Sequence, residues 1–497
     1  MAWLRPIDGG YDLYRPGTDD KVGSFQCATP DEVAAAIDRA RRAQKGWARF
    51  DVKARATIVQ KALKRLLQNR EEYLAVIDGE VGRSRTESMF MALFAAADSL
   101  NYWSRLAEKA MSDDRVGLHL LRMKTARVVH RPLGVVAVIT PWNGPFQLSL
   151  NPTVQALLAG NAVIVKPSEV TPYSGGLVAK LFEGFLPEGV LQVVQGDGAT
   201  GAALVNGGVD KVSFTGSVAT GRKIGAACGR QLIPCTLELG GKDPAVVLDD
   251  APLERTVSGV VFAGLMNAGQ FCAGTERVYA VGDIYAPFVD ELTDKMASLR
   301  LGEDIGPFIS ERQLDIVERH VNEAVAAGAT ITTGGKREGA YFKPTVLTGV
   351  THDMALMSEE TFGPILPVMR AHDEAHAIEL ANDCRFGLSA TVWTRDKARG
   401  ERVARQLNSG SVCVNDSCIT YGALEVPFGG MGESGVGTTN GGVGAIRGFT
   451  HAQPILSDRF LMKREHVWHP YGPKTAEELE KALDAIFGNS VLSALVS

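Results

Sequence analysis

Gly134-Val135-Val136-Ala137-Val138-Ile139 is a short apolar run without alternation, the pattern of a strand buried on both faces of a sheet. A helical stretch follows over 150–159, and then a second run of the same kind, Ala162-Val163-Ile164-Val165. Thr171-Pro172 opens another helix. Leu191-Gln192-Val193-Val194 and Lys211-Val212-Ser213-Phe214 supply two further strands, and a helix spans 217–228. Strand–helix alternation of this kind implies a parallel sheet with helices on both faces. A second series starts at Ala245-Val246-Val247-Leu248 and continues through Arg277-Val278-Tyr279-Ala280-Val281 to Val412-Cys413-Val414-Asn415, which predicts a second α/β domain. Upstream, Thr29-Pro30-Asp31-Glu32 carries a capping box and a first-turn proline. Val33, Ile37, Ala40, Ala43 and Trp47 then repeat at helical spacing. Further helices are predicted at about 53–70 and 86–110. The segment past Phe460 is polar, with one helix at 475–487.

The chain has 497 residues, which at ~100–200 residues per domain suggests two to four units. Apolar residues make up 45% and charged residues 22%, excluding disorder or coiled coil for the whole chain. A net charge of −5 argues against nucleic acid or an acidic membrane as partner. The seven cysteines are too scattered for a disulfide framework, and Met1 to Gly10 holds no apolar leader, so a reducing compartment, the cytoplasm, is expected. No run approaches the ~18 apolar residues that a spanning helix needs.

Several short motifs could carry chemistry. In Phe214-Thr215-Gly216-Ser217-Val218-Ala219-Thr220-Gly221 a strand ends and a helix begins, and small residues there let a phosphate approach backbone N–H groups at the positive helix terminus. A tight turn needs glycine too, so the motif alone is weak. Lys166-Pro167-Ser168-Glu169 lies where a parallel strand ends, the side on which dinucleotides bind; Glu169 could accept from both ribose hydroxyls and would repel a 2′-phosphate, or the segment is a solvated turn. Cys272, in Gly269-Gln270-Phe271-Cys272-Ala273-Gly274, follows a predicted helix end that could lower its pKa and make it a nucleophile, against the common case of an inert core cysteine. Glu238 sits in an apolar strand ahead of Gly240-Gly241. Burial would raise its pKa toward neutrality, as suits a general base; the alternative is a structural ion pair with Lys242. Asn143, in Thr140-Pro141-Trp142-Asn143, could donate to an oxyanion or simply make a turn. His372 and His376 stand four apart, but the glutamate between them is misplaced for a zinc protease and no third ligand is evident, so no metal is expected.

These motifs occur together and in one order with Glu359-Glu360-Thr361-Phe362-Gly363-Pro364 and Pro427-Phe428-Gly429-Gly430. The set resembles the NAD(P)-dependent aldehyde dehydrogenase superfamily over roughly residues 25–455. The resemblance implies an α/β fold with a Rossmann-like parallel-sheet cofactor domain over 1–112 and 132–241. It also implies a catalytic α/β domain over 242–440, an oligomerisation element from 113–131 with 441–460, and a tail, 461–497, of unknown role. It implies Cys272 as nucleophile, Glu238 as base and Asn143 as oxyanion donor. Lys166 and Glu169 would hold the adenosine ribose, Gly216 and Ser217 the pyrophosphate, and Glu360 the nicotinamide ribose, with Phe362, Trp142 and Leu239 bordering the cofactor. The thiolate would add to an aldehyde, hydride would pass to the nicotinamide, and Glu238 would activate water to release the acid from the thioester.

The implied cofactor is NAD, with NADP less favoured because of Glu169. The implied assembly is a homodimer or homotetramer, with a small-molecule aldehyde as the other partner. Three stretches that wall the family's aldehyde tunnel hold Phe146, Leu148, Leu265, Met266, Phe271, Ile419, Tyr421 and Leu424 and contain no Lys or Arg. An uncharged aromatic or apolar aldehyde is therefore expected, with an aliphatic aldehyde or a semialdehyde as the alternative. A CoA-acylating enzyme would usually lack the glutamate base, and a non-catalytic relative would tend to lose the nucleophile. Two departures stand out. Thr438-Thr439 replace the family's frequent Arg-Glu, and the N-terminus is expected to lack the family's opening hairpin.

Overall fold

The computed structural model describes residues 3–488, so the last nine positions of the predicted tail lie outside the described residues. The chain divides into two compact units, one of Met1–Ala110 with Pro132–Phe449 and one of Met111–Arg131 with Thr450–Ser497.

The larger unit opens with an antiparallel meander of β1 (Leu4–Ile7), β2 (Gly10–Tyr14) and β3 (Lys21–Gln26). This corrects the expectation of a missing hairpin. Leu13 and Phe25 turn inward from exposed strands too short and polar to signal themselves by alternation. Helix α1 (Pro30–Trp47) begins on the predicted capping box, with Glu32 N–H donating to Thr29 Oγ1 at 3.3 Å and Thr29 N–H to Glu32 Oε2 at 2.8 Å. Helix α2 (Val52–Gln68) follows. The helix expected over 86–110 is interrupted. A short helix, Arg85–Ser88, passes into a π-helical turn, Met89–Phe94, before the regular helix Ala95–Met111, and the turn leaves Phe90 and Phe94 exposed.

The first parallel sheet holds β4 (Val135–Ile139), β5 (Ala162–Lys166), β6 (Leu191–Val193), β7 (Lys211–Thr215) and β8 (Cys235–Glu238). Its spatial order is β8-β7-β4-β5-β6, with Gly435–Val436 added antiparallel beside β8. Every residue of β4 and β5 is buried, as their unalternating sequences require. Helix α3 (Pro145–Leu158) follows β4, and α4 (Val218–Gln231) follows β7.

The second sheet holds β9 (Asp243–Val247), β10 (Thr275–Val281), β11 (Thr330–Thr333), β12 (Thr345–Thr348), β13 (Ile365–Ala371), β14 (Ser389–Trp393) and β15 (Ser411–Val414), in the order β11-β12-β13-β10-β9-β14-β15. It is parallel except for β11 against β12. Helix α5 (Leu253–Leu265) links β9 to the loop ahead of β10. The carboxyl ends of β4, β5, β7 and β8 thus face the loop that carries Cys272, within one unit.

The smaller unit is a three-stranded antiparallel sheet of Asp114–Val116, Lys124–Pro132 and Thr450–Asp458, followed by the helix Thr475–Phe487. The predicted oligomerisation element began at 441, but Val443–Arg447 is a helical turn of the larger unit, and the strand of the smaller one starts at Thr450.

Candidate active site

The sequence between α5 and β10 turns back on itself. Asn267, Ala268 and Gly269 are all left-handed, at φ of 56°, 55° and 74°. At Gly269 only glycine fits, since a Cβ would lie 2.2 Å from the backbone of Gly363. Buried Gln270 latches the turn: its Nε2 donates to Asn267 O at 2.9 Å and its Oε1 accepts from Ile309 N–H at 2.9 Å. Cys272 emerges from this turn into a cavity of about 140 Å³ whose lining includes Trp142, Asn143, Gly216, Ser217, Leu239, Glu360 and Phe362. The Trp142 and Phe362 rings meet edge to face, 5.5 Å apart at 89°.

Asn143 donates through Nδ2 to Gln270 O at 3.1 Å. An amide carries two N–H groups, so this bond fixes the side chain and leaves one donor for a reacting oxygen. Glu238 ends β8, opposite Gly435 in register. It is buried and neither carboxyl oxygen has a hydrogen-bond partner. Burial holds its pKa well above the usual carboxylate value, with only the backbone at Thr439 pulling the other way. Thr439, one of the two threonines noted in the sequence, is thus the neighbour that tempers this acid.

The ion pair suggested for Glu238 goes elsewhere. Lys242 Nζ sits 2.6 Å from Glu276 Oε2 and 2.9 Å from Thr361 Oγ1. Glu276 in turn accepts from Thr361 N–H at 2.8 Å and Phe362 N–H at 2.7 Å. The pair therefore anchors the loop that presents Glu360 and Phe362. Glu360 Oε1 accepts from Gly241 N–H at 3.0 Å, and its pKa is raised to about 8 by burial and by Glu276. A Cβ on Gly240 would lie 2.5 Å from that carboxylate, which explains the glycine there.

The expectation of a thiol pKa lowered by a helix end is overturned. Burial, followed by the carboxyls of Asp243, Glu360 and Glu238, pushes Cys272 up to about 12. The preceding turn is left-handed rather than a helix terminus aimed at the sulfur.

A second cavity, about 540 Å³, shares Trp142, Gly216 and Ser217 with the first and is lined further by Lys166, Ser168, Glu169 and Thr220. Ser217 caps α4, accepting from Thr220 N–H at 3.4 Å. Ser217 and Thr220 put the positive start of that helix in the cavity wall, where an anion would be favoured. Lys166 is buried, donates to Pro167 O at 2.6 Å and lies 4.0 Å from Glu169. Size, helix start and paired acid fit an adenine dinucleotide, whose nicotinamide end would enter the smaller cavity beside Cys272.

The residues expected to wall the aldehyde site divide. Phe271 and Tyr421 pack with Cys272, Ala273, Leu388 and Phe428. Met266 and Leu424 are buried, and Ile419 is 51% exposed. Phe146 is packed on Tyr73, ring centroids 5.7 Å apart, and none of the predicted wall residues is among those lining the cavity at Cys272. Sequence reasoning assigned no role to Gln270, Asn267 or Glu276. Glu276 carried a signal: a glutamate in β10, whose seven residues are all buried, is the same anomaly that singled out Glu238. His376 Nδ1 accepts from His372 N–H at 3.2 Å, and no group able to hold a metal occurs among the described residues.

A thiol and an amide donor thus line a cavity next to a dinucleotide-sized cleft, within the influence of a buried acid. The model of the aldehyde dehydrogenase family matches residues 3–455, and the chain belongs to that family. It is an NAD(P)-dependent aldehyde dehydrogenase. The 4,4'-diapolycopene aldehyde oxidase of a Methylomonas species is 39% identical over 495 residues, covering 98% of this chain and 91% of that one. A Mycolicibacterium smegmatis protein provisionally named succinate-semialdehyde dehydrogenase [NADP(+)] is 37% identical over 456 residues, 89% of this chain and 88% of that one. A Mycobacterium tuberculosis aldehyde dehydrogenase solved with NAD+ superposes with a TM-score of 0.87 at 32% identity, over 92% of this chain and 96% of that one. No helix among the described residues is long and apolar enough to cross a membrane.

Proposed function

We propose that this enzyme oxidises an uncharged aromatic or apolar aldehyde to its carboxylic acid, prefers NAD to NADP, and works through a covalent adduct on Cys272. The observation that carries the reading is the shared cavity: Cys272 and Asn143 line the same space as Ser217, Glu360 and Phe362, and the charge of an unpartnered acid, Glu238, reaches the thiol. Cys272 must lose its proton before it can attack, and ionised Glu238 takes it; burial raises the pKa of this carboxyl and so makes its anion a stronger base. The sulfur then adds to the carbonyl carbon, and the oxyanion receives the free Asn143 N–H, a contact commonly worth ~3–4 kcal/mol. Bound NAD supplies the hydride acceptor. Glu238 releases its first proton to solvent, then takes one from the water that attacks the thioester, and returns it to the sulfur as the acid leaves with the thiol restored. Glu238 also argues against CoA as acyl acceptor, and product analysis with and without CoA tests this.

The relatives' names point both to a semialdehyde and to 4,4'-diapolycopene aldehyde. The side chains favour an uncharged substrate. Stretches 143–149, 264–271 and 416–424 hold no Lys or Arg. Arg83, a buried cation outside them, is turned to the backbone O of Asn143 at 3.4 Å and to Met91 Sδ at 3.5 Å. Glu169 at the second cavity supports NAD over NADP. We extend the reading to a cytoplasmic homodimer or homotetramer assembled through 113–131 and the strand Thr450–Asp458, with a cofactor domain around the first sheet and a catalytic domain around the second. The deciding measurement is NADH formation across aromatic, aliphatic, cationic and anionic aldehydes. The expected ranking in kcat/KM places benzaldehyde-type substrates above succinate semialdehyde, and NAD above NADP. The reverse ranking overturns the substrate reading.

A further inference from the structure

The turn that delivers Cys272 is held from outside by two charged side chains, Arg83 buried and Glu87 half-buried, with no role in the chemistry above. Asn267 and Ala268 are not glycines, yet both adopt the left-handed conformation, which side chains disfavour. Such a conformation persists only where its surroundings fix it. Here the Asn267 N–H donates to Glu87 Oε1 at 2.7 Å. Asn267 Nδ2 donates to Asn143 O at 3.1 Å and to Gln270 O at 3.0 Å, and Gln270 O is also the acceptor for Asn143 Nδ2. The one bond from Glu87 therefore sits at the head of a chain that ends on the oxyanion donor.

Glu87 lies on the short helix Arg85–Ser88 that enters the π-helical turn, and Arg83 stands two residues ahead of that helix. Arg83 is 5% exposed; its Nη1 lies 3.4 Å from Asn143 O, its Nε has no partner, and its charge acts on Glu87. Glu87 Oε2 is likewise buried without a partner. Leaving two charged groups half satisfied is costly, and apolar packing would serve a purely architectural turn better. Glu87 instead gives its one polar contact to the Asn267 backbone, and Arg83 divides its own between the Asn143 backbone and Met91 Sδ.

We propose that Glu87 is a positioning residue of the aldehyde oxidation: its carboxylate clamps the left-handed turn at Asn267 and thereby sets the amide of Asn143 and the sulfur of Cys272 in reactive register. Arg83 braces the same arrangement from the Asn143 side. The inference rests on the Cys272–Asn143 chemistry of the preceding section. Neither residue touches the cavity beside Cys272, so the effect is one of geometry, and misplacement of a reacting group by about 1 Å can cost ~10²-fold.

The test uses the full-length enzyme and Glu87→Ala, Glu87→Gln and Glu87→Ala/Ala268→Gly. Steady-state NADH formation, NAD affinity by fluorescence titration and the rate of Cys272 alkylation by iodoacetamide are measured on each. Glu87→Ala is expected to lower kcat by about 10²-fold with NAD affinity within about twofold of the parent. Glu87→Gln keeps an oxygen to accept the Asn267 N–H and is expected to recover kcat to within about fivefold. Ala268→Gly relieves the left-handed strain and is expected to restore part of the loss in the double variant. A Glu87→Ala enzyme with parental kcat, or a Glu87→Gln enzyme as slow as Glu87→Ala, overturns the proposal. If Glu87→Ala fails to fold, Glu87→Asp takes its place, being too short to reach Asn267; a slow Asp enzyme beside a fast Gln enzyme supports the clamp, and the opposite order overturns it. If the parent oxidises no aldehyde, the functional reading fails, and the clamp is judged by alkylation alone: an altered Cys272 rate in Glu87→Ala, restored in Glu87→Gln, supports it, and unchanged rates sink it.

Discussion

Glu276 and Glu238 are both buried glutamates beside the same glycine bend, and their surroundings treat them in opposite ways. Glu276, on β10 of the second sheet, has every need met by Lys242 and by the N–H groups of Thr361 and Phe362. Glu238, on β8 of the first sheet, has neither oxygen bonded. A satisfied charge holds a loop in place, while an unsatisfied one keeps its proton above the usual carboxylate range and can hand it on. The contrast separates architecture from chemistry more sharply than burial does, since both side chains are almost wholly enclosed.

The largest effects fall on the unsatisfied side. Cys272→Ala should abolish NADH production while NAD affinity, measured by fluorescence titration, stays close to the parent value. Retained turnover would exclude the nucleophile. Glu238→Gln should lower steady-state turnover by ~10²–10⁴-fold, the usual contribution of a positioned base. Because both thiol activation and thioester hydrolysis use this acid, rapid-quench measurement should find either a slowed first turnover or an acylated Cys272. A Glu238→Gln enzyme as fast as the parent would erase the contrast with Glu276.

The resting thiol gives a pH test of the same surroundings. A group with its pKa pushed up to about 12 gains thiolate about tenfold per pH unit throughout the measurable range. Alkylation of Cys272 by iodoacetamide, without NAD, should therefore climb steadily from about pH 7 to about pH 10. A plateau near pH 8 would mean that the surrounding carboxyls do not hold the proton on sulfur.

On the satisfied side the expected losses are of stability. Lys242→Met strands Glu276 in a site where the lysine side chain is wholly unexposed, and breaking such a pair costs about 3–5 kcal/mol. Chemical denaturation should show that loss, and removing both charges together should recover part of it. An unchanged midpoint would show that Glu276 is held by its two N–H donors alone.

How much of this was legible beforehand follows the same division. The strands of the first sheet announce themselves because parallel strands covered on both faces have nowhere to put a polar residue, so β4 and β5 are unbroken apolar runs. The capping box of α1 is local chemistry and reads directly. Glu238, Asn143 and Cys272 each gave a weak signal, and their order along the chain gave a strong one. What the sequence hid is what depends on partners far along the chain: the Lys242–Glu276 link, the Glu87–Asn267 bond across 180 positions, and the carboxyls that raise the Cys272 pKa. The β1–β3 meander was hidden for a different reason, since its strands are short, polar and mostly exposed.

Asp243 falls between the two glutamates and gives the smallest and most discriminating test. Its Oδ2 accepts from Ser389 Oγ at 2.6 Å, while its Oδ1 is buried without a partner. Burial raises its pKa to about 8; burial likewise raises Glu360 to about 8 and Glu80 to about 7. Unfolded, such acids titrate near pH 4, so between about pH 4 and about pH 8 the folded chain holds protons that the unfolded chain has released. Their contribution is therefore present in full at low pH and is lost as pH rises through the folded values. The melting temperature should fall as pH is raised from about 6 to about 9, and Asp243→Asn, which cannot ionise and can still accept from Ser389, should flatten the slope. A Tm that rises over this range would mean that these acids are stabilised as anions, and then the distinction drawn between Glu238 and Glu276 would lose its physical basis.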